Sequence, residues 1–140
     1  DTSLDELLSH YGGGGPLIAA DESCAGPGRI RALIRRGGLG AIVVKPSVVG
    51  GLLAAGMLFE MAQRHGVRVI ISNLMESAVG RHAVAHLAAA YPALKGPHGL
   101  ATGQWFDEDV APGPDRIERA RLQLAPTAGI GFEPVWPDRQ

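Results

Sequence analysis

The amino-acid sequence predicts an α/β fold with a parallel sheet, on three observations. Short apolar runs rich in β-branched residues alternate with stripes at helix spacing, each run stops at a polar or turn residue, and the stops recur at a near-constant interval. Residues 1–15 are polar and read as a lead-in loop ending in the run Gly12 to Gly15. That run is no phosphate cradle, because no Lys-Ser/Thr follows and the spacing fits neither phosphate-loop pattern. Leu17-Ile18-Ala19-Ala20 is the first predicted strand and stops at Asp21. Ala41-Ile42-Val43-Val44 stops at Lys45, and Val67-Arg68-Val69-Ile70-Ile71 stops at Ser72. A weaker fourth strand is expected near Gly99-Leu100-Ala101. Runs this short with turn residues on both sides read as buried parallel strands.

Helices fill the intervals. Ile30, Leu33 and Ile34 recur at helix spacing until Gly37-Gly38; the arginines of that helix (Arg29, Arg31, Arg35, Arg36) read as a solvated face. Leu53, Met57 and Met61 form a second stripe, read as core filler and closed by Gly66. Val84, Leu87, Ala88 and Tyr91 form a third, closed by Pro92. From Asp21 to Lys45 is 24 residues, from Lys45 to Ser72 is 27, and from Ser72 to Gly99 is again 27. Polar groups at regularly spaced strand ends fit a (β/α) barrel or a doubly wound sheet, both of which bind ligands along that edge. The dinucleotide-binding variant is the weaker choice, since no Gly-x-Gly-x-x-Gly follows the first strand. Residues 111–140 form a separate tail, Pro- and Gly-rich at its start, with a short extended piece at Leu122-Gln123-Leu124 and a packed turn at Gly129-Ile130-Gly131-Phe132.

Composition narrows the function classes. The 140 residues are 46% hydrophobic and carry a net charge of −1, which favours a folded domain over disorder. No basic block tracks phosphates, so nucleic acid is not an expected partner. Gly, Pro and charges interrupt every apolar run before the roughly 20 residues a membrane span needs, and no stretch reads as a signal peptide. One cysteine, Cys24, excludes an internal disulfide. The expectation is a cytoplasmic protein with no membrane partner.

Candidate chemistry gathers at the predicted strand ends. Asp21-Glu22 offers carboxylates that bind a hard cation, act as acid or base, or cap the next segment. Lys45 ends a wholly apolar strand; it either loses hydration and becomes a usable base, or snorkels to solvent. The only other lysine is Lys95. Ser72-Asn73 and the backbone of Gly99 present a hydroxyl and an N–H suited to a substrate carboxylate, although Ser, Asn and Gly also simply make turns. Glu76 supports that site or caps the helix beginning near Ser77. His82 and His86 are four apart, but no Glu lies between them in the zinc-protease arrangement and the apolar stripe puts them outward, so they read as surface residues. Cys24 has no histidine near it in sequence and is a poor candidate nucleophile.

At these residues the sequence resembles a known family. Leu17 to Ser23 looks like the fifth-strand motif of enolase-superfamily enzymes of the muconate-lactonizing group, and Val43-Val44-Lys45-Pro46-Ser47 with Gly50-Gly51 like their sixth-strand lysine motif. Ile71-Ser72-Asn73-Leu74-Met75-Glu76-Ser77-Ala78-Val79-Gly80 and His98-Gly99-Leu100-Ala101-Thr102-Gly103 are similar to the seventh- and eighth-strand segments of the o-succinylbenzoate synthases. The resemblance runs from about residue 16 to residue 133. It implies the C-terminal half of a (β/α) TIM-type barrel, with strands five to eight in residues 16–110. It also implies a Mg2+-dependent dehydratase of menaquinone or phylloquinone biosynthesis, working through proton abstraction next to a carboxylate and an enediolate. In that reading Asp21 is a Mg2+ ligand, Lys45 faces the reacting carbon, and Ser72 and Gly99 contact a small-molecule carboxylate substrate. Acylamino-acid racemases and dipeptide epimerases share much of this pattern.

The same resemblance implies what lies elsewhere. The family places a capping domain, a strand-two lysine and two further carboxylate ligands before these motifs. The expectation is a chain that does not complete the site alone, but joins a missing N-terminal half of the barrel or self-associates, or is a non-catalytic remnant.

Overall fold

In the computed structural model, residues 2–11, 15–111 and 115–136 are described. Gly12 to Gly14 of the expected glycine loop, and parts of the tail, lie outside them. Three strands, β1 (Ile18–Ala20), β2 (Leu39–Val44) and β3 (Arg68–Ile71), form a parallel sheet in the order β1-β2-β3. Between them run α2 (Pro27–Arg36), the short α3 (Pro46–Val49) and α4 (Leu52–Arg64), and α5 (Ala78–Ala90) follows β3. The fourth expected strand is reduced to one parallel bridge between Ser72 and Gly99, followed by a 3-10 turn at Thr102–Trp105. Ser72 and Asn73 leave little regular edge, and Pro97 just before Gly99 has no N–H to donate to a ladder.

Register fixes which side chains share a face. Ala20, Ile42 and Val69 are partners across the sheet, as are Val44 and Ile71, and all are buried. They form one core with Ile30, Leu33 and Ile34 of α2, Leu58 and Phe59 of α4, and Val84 of α5. The other face carries Ala19, Val43 and Ile70, which remain at least partly exposed. Side chains alternate along a strand, so Asp21, Lys45 and Ser72 continue this second face beyond the strand ends. At Gly40 the β1 and β2 backbones approach closely: a Cβ there would lie 2.7 Å from Cβ of Leu17, beside the register shift between Ile18 and Ala19.

Several expectations are corrected. The lead-in is not loop throughout, because Thr2–Tyr11 is a helix, α1, that buries Leu4 and Leu8 one turn apart. Its polar composition obscured that i, i+4 pair. The arginine face of α2 is exposed as expected at Arg31, Arg35 and Arg36, and there Arg36 donates to Asp5 of α1 at 2.7 Å and to Ser9 at 2.8 Å. On α4 only Met61 of the expected core stripe packs against the core. Leu53 is 88% and Met57 59% exposed, whereas Ala55, Leu58, Phe59 and Ala62 are buried. The helix is apolar on both sides, and the side with small residues packs closest. Tyr91 fills the space over Gly56 and meets Phe59 edge-on with ring centroids 5.3 Å apart.

The tail folds back over α5. Ile117–Glu118 (β4) and Arg121–Leu122 (β5) form an antiparallel hairpin, so the extended piece starts earlier than expected. The turn at Gly129 to Phe132 packs as anticipated, with Phe132 edge-on to His82 at 5.0 Å. His82 is therefore no surface residue: its side chain is 14% exposed and its Nε2 lies 3.1 Å from Asp115.

Candidate active site at the strand ends

Asp21, Lys45 and Ser72 each directly follow one parallel strand, so the fold sets them side by side along a single rim. Local structure pins each backbone. The Asp21 carbonyl accepts the Cys24 N–H at 2.8 Å, and the Lys45 carbonyl accepts the N–H groups of Val48 (2.9 Å) and Val49 (3.2 Å) as α3 begins. Pro46 opens that helix, where a missing N–H costs nothing. The Ser72 N–H donates to Val44 at 3.0 Å, tying the third rim position to the second strand.

The side chains converge in part. Lys45 Nζ donates to Asp21 Oδ1, with the lysine side chain 20% and the aspartate side chain 42% exposed. Lys45 thus neither snorkels free nor stands alone as a dehydrated amine; it is half of an ion pair bridging two strand ends. Ser72 Oγ lies 3.3 Å from the Gly99 carbonyl. The Gly99 N–H donates to Ile71 at 2.8 Å, so it is spent on the sheet bridge and is no free donor for a carboxylate. What Gly99 provides is room: a Cβ there would sit 2.8 Å from Ser72 Oγ. Glu76 shapes the loop after Ser72, accepting from the Leu74 N–H (3.0 Å) and from Ser47 Oγ (3.3 Å).

Glu76 does not cap α5. That role falls to Asp109, whose Oδ1 accepts the Ala78 N–H at 2.9 Å. Asp109 belongs to a buried cluster around Arg81, whose side chain is 4% exposed. Arg81 donates from Nε (3.0 Å) and Nη2 (3.1 Å) to Asp115, and from Nη1 to Asp109 and the Glu76 carbonyl (2.9 Å). Burial opposes its charge, but the hydrogen bonds and fields of Asp115 and Asp109 outweigh that and hold the guanidinium above its usual value. Burial likewise pushes the Asp109 carboxyl up; the Ala78 N–H, Arg81 and the Val110 N–H overcome this and leave it below the ordinary range. Sequence reading missed the cluster. Its one signal was an arginine on the buried stripe Ala78, Arg81, Val84 and Ala85 of α5.

Cys24 is buried, with its thiol donating to the Ala20 carbonyl at 3.2 Å; burial raises its pKa to about 11, which fits a packing role. Among the described residues no three His, Cys, Asp or Glu side chains converge as a metal site, and His82 and His86 gain no further ligand. Asp21 presents a hard oxygen donor on the strand-end rim.

Residues 15–138 match the family model described as enolase C-terminal domain-like, which makes this parallel β/α sheet with its polar strand-end rim the C-terminal half of a TIM-type barrel. The chain belongs to that family. Among curated relatives, the o-succinylbenzoate synthases of Mycobacterium tuberculosis and Mycobacterium bovis are 40% identical over 94 residues, 67% of this chain. The chain spans 28% of the length of those relatives. Among solved structures, the muconate cycloisomerase of Pseudomonas fluorescens superposes with a TM-score of 0.85 at 20% identity, covering 95% of this chain and 37% of that one. The dipeptide epimerase of Enterococcus faecalis V583 gives 0.78 at 27% identity, covering 91% and 37%. No helix among the described residues is long and apolar enough to cross a membrane.

Proposed function

We propose that this chain forms one wall of the active site of an o-succinylbenzoate synthase-like lyase, a cytoplasmic enzyme of menaquinone or phylloquinone biosynthesis. The observation that carries the proposal is the Asp21–Lys45 pair. It lies across adjacent strand ends, beside Ser72, in a chain 40% identical to such synthases over the matched region. The proposal assigns three roles. Lys45 moves a proton at the carbon next to the substrate carboxylate, from one side of the barrel. Ser72 Oγ donates to a carboxylate of the substrate. Asp21 is one oxygen ligand of a Mg2+ whose other ligands lie outside this chain; that ion, when bound, supplies the positive charge that makes so weak a carbon acid removable. The strand ends of a further half-barrel complete the site, and the 140-residue chain alone is expected not to turn over.

A chimera tests this. Residues 16–110 replace the matching segment of the Mycobacterium tuberculosis synthase, and dehydration to o-succinylbenzoate is followed by absorbance. Activity that falls at least about a hundredfold with Lys45→Ala, as expected for loss of a proton-transfer group, supports the proposal. A folded chimera that is inert, or indifferent to Lys45→Ala, overturns it. The second reading is racemisation or epimerisation at the same carbon position, favoured by the 27% identity to the dipeptide epimerase. Preferential exchange of the α-proton of acylamino acids or dipeptides by the chimera would select it.

A further inference from the structure

We propose that a cavity at the N-terminal end of β3, at the opposite end of the sheet from the Asp21–Lys45–Ser72 rim, binds a small carboxylic acid with an apolar body. Its walls come from the end of α4, the start of β3 and the loop after α5. Gly66 takes a left-handed φ of 69°, which ends α4 and turns the chain into β3. Arg68 then donates from Nη2 to the Gly96 carbonyl at 2.7 Å, tying β3 to the loop. The space between them is about 610 Å3, within the roughly 300–1,000 Å3 of small-molecule sites. Both neighbours of β3, β2 and the Ser72–Gly99 bridge, belong to the chain, and β1 takes no part in the cavity.

The lining selects the ligand. Val67, Val69 and Leu94 are buried and, with Ala93, give an apolar floor. Gln63, Arg68 and Lys95 are exposed and supply the polar lining. No carboxylate lines the cavity, and neither Arg68 nor Lys95 makes an ion pair among the described residues. The carbonyls at the end of α4 do not occupy these cations: those of Met61, Ala62 and Gln63 accept the N–H groups of His65, Gly66 and Val67 at 2.9 to 3.3 Å.

An apolar floor takes the body of a ligand out of water, and a guanidinium beside an ammonium fixes its anionic end. A neutral hydrocarbon leaves both cations unmatched. A bare anion such as phosphate leaves the floor wet, and a cationic ligand meets two like charges.

Titration of the purified chain with 2-naphthoate, followed by calorimetry and by amide chemical shifts, tests the proposal. The expected result is a Kd of about 1 mM or tighter, the scale for a ligand of this size, with shifts centred on Gly66, Arg68 and Lys95. Lys95→Met removes an ammonium that has no partner among the described residues and should raise the Kd at least about fivefold; uncharged 2-naphthamide should bind more weakly by a similar factor. Ala93→Trp, at an exposed position, should fill the cavity and abolish binding. Arg64→Met removes an equal charge from the end of α4, outside the lining, and should change nothing. No saturable binding up to about 10 mM overturns the proposal. So do shifts centred on Lys45 and Ser72, an effect of Arg64→Met equal to that of Lys95→Met, or inorganic phosphate binding as tightly as 2-naphthoate. Should Ala93→Trp fail to fold by circular dichroism, Lys95→Met and the naphthamide comparison decide. The cavity lies within residues 16–110, so the chimera carries it too. Binding by an inert chimera keeps the cavity and sinks the lyase reading; an active chimera that does not bind does the reverse.

Discussion

Replacing Arg81 by Met should be the most destabilising single change outside the sheet core. The substitution keeps much of the side-chain volume on α5 and removes the charge that two buried carboxylates share. Asp115 is 5% exposed and loses both of its Arg81 hydrogen bonds; Asp109 is 15% exposed and keeps the N–H groups of Ala78 and Val110. Breaking a buried ion pair from one side costs about 3–5 kcal/mol, because the orphaned charge cannot be hydrated where it lies. Against a total stability of about 5–15 kcal/mol for a domain, that is about a fifth of the fold or more. With an m-value of about 1.5 kcal/mol/M, the urea midpoint followed by circular dichroism should fall by about 2–3 M. Arg81→Met with Asp115→Leu should recover most of the loss, since the pair then becomes apolar on both sides. A loss below about 1 kcal/mol, the scale of an exposed pair, would refute the claim that this cluster clamps the tail to α5.

Three further outcomes follow from the same geometry. The folded-state pKa of Asp109 lies below its ordinary 3.8, so its contribution to stability is present above that pH and disappears as pH falls through the folded value. Urea midpoints of the parent and of Asp109→Asn should thus differ near neutrality and converge in strong acid; a constant difference would deny the linkage. Cys24, at about 11 against an ordinary 9.0, should react with iodoacetamide at pH 8 about a hundredfold more slowly than a free thiol, and at the normal rate in urea. Comparable native and unfolded rates would contradict its burial. Gly99→Ala should displace the Ser72 hydroxyl at a cost of about 1–3 kcal/mol from overpacking and raise KM in the chimera. An unchanged KM would remove Ser72 from the substrate-binding role.

Much of this was legible in the sequence, and where it was not the cause is physical. Strands ending at Asp21, Lys45 and Ser72 were readable because a buried parallel strand must be nearly all apolar, so its first polar residue marks its end. Leu53 and Met57 of α4 were misread because they are as apolar as the side that packs; close approach of Ala55, Gly56 and Ala62 decided the outcome, and periodicity does not register it. The Arg81 cluster escaped because its acceptors lie 28 and 34 residues away, in a segment with no period of its own.

The candidate site divides along the same line. Strand alternation alone puts Asp21, Lys45 and Ser72 on one face, since each follows an inward residue, Ala19, Val43 or Ile70, by two positions. Gly99 follows no regular strand, so alternation says nothing about it, and its N–H turns out to be committed to Ile71. The wall is thus set by three side chains and by the space left at Gly99. In the proposed reading Asp21 is one oxygen ligand of the metal, and carbon-acid chemistry also needs the rest of a ligand set.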